Sequence, residues 1–171
     1  MIMLSPHFTV EEFIRSDVAI RKGIYNFPPA DVLENLRVLA AKLEAVRSIL
    51  GRPVLVSSGY RSEELERDIA WSGFLAWCKL RGKEVNDGNW ALYFAGKAHP
   101  KGLAADFACP VFGTPMMVFD ELRKHRDALG YDQLILEFPP DGWVHIGFAP
   151  SGKVTRGEAL VYAGKSYERV V

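Results

Sequence analysis

The run Gln133-Leu134-Ile135-Leu136-Glu137-Phe138 is followed by Pro139-Pro140-Asp141-Gly142 and then by Trp143-Val144-His145-Ile146-Gly147-Phe148. Two β-rich segments flank a cluster of turn residues, which predicts a hairpin. Pro53 to Ser58 and Leu103 to Cys109 read as two more strands. Leu160-Val161-Tyr162, in the tail, reads as an edge strand. Helical patterns surround them. Val32, Leu33, Leu36, Leu39, Leu43, Val46 and Leu50 fall at helical spacing, and Gly51 stops that helix. Thr9 and Glu12 form a capping box for a short helix over 10–15. Thr114-Pro115 opens a helix that is expected to run to Leu129, ahead of Gly130. The order predicts an α+β fold, with helices packed around a small, mostly antiparallel sheet.

Composition bounds the rest. A chain of 171 residues suits one domain, 1–171, with a substantial core. Twenty-one basic residues balance 21 acidic ones, so charge gives no case for a nucleic-acid partner or a charged membrane surface. No apolar run is long enough to span a bilayer. Met1 to Pro6 lacks the basic-then-apolar plan of a secretory signal, so synthesis in a cytoplasm without a signal peptide is expected. Cys78 and Cys109 are too few for a disulfide framework and are expected as buried free thiols.

The chemistry is concentrated in His99-Pro100-Lys101-Gly102-Leu103-Ala104-Ala105-Asp106, answered by Trp143-Val144-His145. Two imidazoles and one carboxylate are the protein ligands of a catalytic zinc site, with a fourth position left for water. Gly102 lets the chain turn closely behind His99. Ala104 leaves room for a second ligand-bearing strand. Asp106 stands in an apolar strand, where an unpartnered carboxylate costs several kcal/mol. His7 and His125 lack such company and read as structural. Cys109 falls on the opposite face of the strand from Asp106.

These motifs, together with the upstream Ser58-Gly59-Tyr60-Arg61-Ser62, resemble the zinc D-alanyl-D-alanine carboxypeptidases and L-alanyl-D-glutamate endopeptidases. These are metallopeptidases of bacterial peptidoglycan, and the likeness is closest to their compact, phage-associated branch. It spans Phe8 to Phe148, including Phe8-Thr9-Val10-Glu11-Glu12-Phe13 and Tyr131 to Phe138. The resemblance implies Zn2+ held by His99, Asp106 and His145. It also implies a substrate carboxylate gripped by Arg61 through two parallel hydrogen bonds, with a structural ion pair to an Asp or Glu as the alternative for that residue. The implied substrate is a stem peptide, cut by an endopeptidase or a D,D-carboxypeptidase. Such a protein is a free endolysin or a virion part beside phage proteins. It reaches the wall by other means of export or on the particle. The alternative is a non-catalytic wall-binding or virion structural module that keeps the fold.

The chain departs from that pattern in three places. Residues 64–96 form a longer, aromatic-rich insertion with Trp71, Phe74, Trp77, Trp90, Tyr93 and Phe94. Ile69 to Cys78 reads there as an amphipathic helix and Lys79 to Asn89 as a polar loop. The insertion either packs its aromatics on the core or walls the substrate groove as a lid. Lys97 stands where relatives often carry serine. Gly142 stands where they often carry the general base, three residues before the second histidine. Glu137 and Asp141 are the acids left nearby. A hairpin centred on Pro140-Asp141 sets Glu137 opposite Val144 or His145, which favours Glu137 as the base. Asp141 suits a turn for backbone reasons alone. Trp143 is expected to pack behind the site.

Overall fold

The protein is described over residues 2–170 of a computed structural model. A short helix α1 (Val10–Ile14) and α2 (Asp17–Lys22) precede the long α3 (Ala30–Leu50). The chain then enters β1 (Leu55–Ser58), α4 (Glu63–Leu80) and α5 (Asp87–Ala95). A 3-10 turn (His99–Lys101) leads into β2 (Ala104–Ala108). Helices α6 (Pro115–Lys124) and α7 (Arg126–Leu129) connect to β3 (Gln133–Glu137), β4 (Trp143–Gly147), β5 (Glu158–Tyr162) and β6 (Tyr167–Arg169). The fold is α+β. No helix among the described residues is long and apolar enough to cross a membrane.

The strands form one sheet in the order β1-β2-β4-β3-β5-β6. Every neighbouring pair is antiparallel except β3 and β5, so the sheet is mixed. The tail departs from expectation here. Leu160-Val161-Tyr162 lies in an inner strand, and the edge is β6, whose three residues are all exposed. A three-residue strand whose residues are all largely exposed carries no alternation to read. The helix opened by Pro115 is also shorter than expected. His125 N bonds Leu122 O in a tightened turn, which separates α6 from α7.

The two faces of the sheet have different work. Phe107, Leu134, Leu136, Val144 and Ile146 point to one side. There they meet Leu36, Leu39 and Leu43 of α3 and Val118, Phe119 and Leu122 of α6 in the main core. The intervening residues, Asp106, Ile135, Glu137, Trp143 and His145, therefore share the other side.

The insertion lies between these faces in sequence and builds its own core. Ser62 caps α4 and Asn86 caps α5. The polar stretch expected as a loop over 79–89 is thus the end of one helix, a turn and the start of another. The expected helix begins at Glu63, earlier than Ile69. Phe74, Cys78 and Trp90 are buried together, with Trp77, Tyr93 and Phe94 around them. These aromatics pack on one another and not on the main core. Cys78 and Cys109 are buried free thiols, as composition predicted.

Candidate metal centre

Asp106 in β2 lies directly opposite His145 in β4, so their side chains leave the sheet on one face. His99 arrives from the 3-10 turn. Gly102 ends that turn with φ of +67°, and its N–H bonds the His99 carbonyl at 3.0 Å. A Cβ there would lie 3.0 Å from the Val32 carbonyl, so glycine lets the turn press against α3. Ala104 pairs with Gly147, the small contact expected between the two ligand-bearing strands. A Cβ on Gly147 would lie 3.4 Å from His145 Nε2, in ordinary contact with the imidazole.

The three polar ends converge. His145 Nδ1 is 2.8 Å from Asp106 Oδ1, and His99 Nε2 is 3.3 Å from the same oxygen. The donor atoms of His99, Asp106 and His145 lie within 4.8 Å of one another, and all three residues are buried. His99 Nδ1 is 2.6 Å from the Gly59 carbonyl, which only accepts, so Nδ1 carries the proton. The lone pair on Nε2 is thereby aimed inward, as an outer carbonyl does for many metal-binding histidines. Burial pushes the His99 imidazole below its ordinary value. Burial pushes the Asp106 carboxyl up, but the two imidazoles overcome this and hold it well below the usual carboxylate range. One carboxylate and two imidazoles fit zinc, and a group of only three leaves a coordination position open.

Arg61 is brought to this group from behind. Its Nη2 donates to Asp106 Oδ2 at 2.7 Å, and its Nε donates to Ser58 Oγ at 3.0 Å. Its Nη1 lies 3.4 Å from Glu66 Oε2. Glu66, buried on the first turn of α4, has no sequence signal that marks it out from Glu63 and Glu64. His7 pairs with Glu44 and His125 with Glu121, both away from the cluster.

Glu137 ends β3 on the metal face, opposite Trp143 and not opposite Val144 or His145. Phe138 leaves the strand with φ of +51°, so the connection holds five residues and the register moves by one pair. Trp143, two residues from His145 on β4, shares its face of the sheet and does not pack behind it. Burial pushes the Glu137 carboxyl up, and the negative charge of Asp106 adds to the effect. Asp141 is exposed in the turn. A Cβ on Gly142 would lie 1.8 Å from the Glu137 carbonyl oxygen, so no acid fits at that position in this turn. Gly142→Ala is expected to lower stability by about 1–3 kcal/mol, measured by chemical denaturation. An unchanged midpoint would mean that the turn rebuilds freely.

The row continues across the sheet from Glu137 to Tyr162 and Tyr167. The two tyrosine rings stack with centroids 4.7 Å apart. Desolvation, with the charge of Glu137 next, pushes the Tyr167 hydroxyl up to about 12. Sequence reading missed Tyr167, because a three-residue edge strand offers no pattern.

Residues 6–73 match the model of the peptidase M15 family. The matched stretch is less than half of the chain. It contains Ser58 to Ser62 and stops within α4, ahead of His99, Asp106 and His145. The match supports a metallopeptidase of that family, the coarse class that the sequence motifs resemble. No curated protein matches the chain.

Proposed function

We propose that this protein is a zinc-dependent peptidase of bacterial peptidoglycan stem peptides, of the compact phage-associated kind. The convergence of His99, Asp106 and His145 in one buried group carries this reading. Bound zinc polarises a scissile carbonyl and acidifies water. Arg61 orients Asp106 by donating to its outer oxygen. Gly59 fixes the tautomer of His99. Glu137, on the same face, accepts a proton from the attacking water and returns it to the departing amine. Burial pushes its carboxyl up, and that direction suits a group that must hold a proton between the two transfers. Asp141 is the alternative acid, and its exposure argues against it. The hairpin of α4 and α5 forms a wall of the groove. Tyr93 and Lys97, at its end, approach the same face as Glu137 and Tyr167.

Digestion of purified peptidoglycan, with mass analysis of the fragments, tests the proposal. Protein loaded with zinc should release fragments, and protein stripped by a chelator should not until zinc is restored. New free amines with a matched fragment pair identify an endopeptidase. Loss of one alanine identifies a carboxypeptidase. Intact walls with zinc-loaded protein would leave the non-catalytic wall-binding or virion module as the reading.

A further inference from the structure

The family resemblance implies a substrate carboxylate on Arg61, but the geometry turns that side chain to protein acceptors. All three of its nitrogens face protein acceptors, with Asp106 Oδ2 closest at 2.7 Å. Three of its five N–H donors are turned to these protein acceptors, so the guanidinium is already held by two carboxylates of the protein itself. Only 15% of the Arg61 side chain is open to solvent.

Lys97 is placed differently. It is half-buried, and its backbone N–H bonds the Phe94 carbonyl at 2.9 Å, which fixes it at the end of α5. Its Nζ donates to Tyr93 Oη at 2.7 Å and lies 4.0 Å from the Tyr93 ring centroid. No carboxylate among the described residues lies within 4.0 Å of it to form an ion pair. The ammonium has three donors and Tyr93 takes one. A held, partly desolvated cation with donors to spare is a ready anion site. It is two residues from His99, and its charge is felt at Glu137. The cation and the proposed base therefore lie within electrostatic reach of one another beside the candidate centre.

The two candidate bonds share a chemical feature. In a terminal D-alanyl-D-alanine and in an L-alanyl-D-glutamate link, the leaving residue carries a free carboxylate on the carbon bearing its amine. We propose that Lys97, held by Tyr93, binds that carboxylate and selects for it. This rests on the peptidase reading above.

The test uses zinc-loaded protein and two pairs of synthetic peptides, one with a D-alanyl-D-alanine end and one with an internal L-alanyl-D-glutamate link. Within each pair the leaving residue carries either a carboxylate or a carboxamide. The parent should prefer the acid by about ten- to a hundredfold in kcat/KM, the range of one charge-assisted hydrogen bond. The pair that is cut identifies the source of the carboxylate. Lys97→Met should abolish the preference at parental zinc content, and Lys97→Arg should keep much of it. Calorimetry on zinc-loaded Glu137→Gln should show the same preference in binding, and its loss when Lys97→Met is added. Equal cleavage of acid and amide by the parent, or a preference that survives Lys97→Met, overturns the role of Lys97 and leaves the peptidase reading intact. A parent that neither binds nor cuts any of the four peptides overturns that reading, and this inference with it.

Discussion

Asp106→Ala is expected to abolish zinc uptake and to destabilise the metal-free protein by about 3–5 kcal/mol. The residue has two dependants. One oxygen faces both imidazoles, at 2.8 and 3.3 Å, and the other accepts from Arg61 at 2.7 Å. Truncation leaves the buried Arg61 guanidinium with only the longer contact to Glu66, and removal of one partner from a buried ion pair is what makes such a loss large. Acid should act on the metal-free parent through the same group. The Asp106 carboxyl is held below its ordinary value, so its contribution is complete above that value. It is lost as pH falls through the depressed one. Elemental analysis and urea denaturation at several pH values check this. Parental zinc content and stability in Asp106→Ala would remove Asp106 from both roles.

Glu137→Gln should retain zinc and lose peptidase activity by about 10²- to 10⁴-fold. Glutamine keeps the size and most of the hydrogen bonding and removes the basicity. Asp141→Asn should leave activity within about twofold, because a solvated turn acid outside the strand pairs supplies nothing to the sheet face. Paired measurements of zinc content and cleavage rate decide between the two acids. An active Glu137→Gln beside a dead Asp141→Asn would exchange their roles.

The features legible in the sequence were those written in local chemistry. Helix α3 runs from Ala30 to Leu50 because its apolar stripe and Gly51 both say so. The strands carrying Asp106 and His145 follow from apolar runs bounded by turn residues. Their adjacency follows from a need shared by the two side chains. What failed was governed by partners distant in sequence or by one backbone angle. The register of Glu137 turned on Phe138 leaving the strand. For Arg61 the sequence leaves a substrate carboxylate and an ion pair with Asp or Glu both open, and only the folded chain names Glu66 and Asp106 as its partners. The split of the polar 79–89 stretch into two helix ends was readable in Asn86, whose side chain caps α5. The surrounding charges and glycines hid it.

Because side chains alternate along β2 and β4, every chemical residue there is flanked by a core residue: Asp106 by Ala105 and Phe107, His145 by Val144 and Ile146. A slip of one position would turn Phe107 out to solvent and thrust Asp106 against the leucines of α3. A misthreaded chain thus has no weakened version of the site; it has none. Arrival of zinc during refolding would then report correct strand alignment, and the metal would serve as an inspector of the finished chain as well as a reagent.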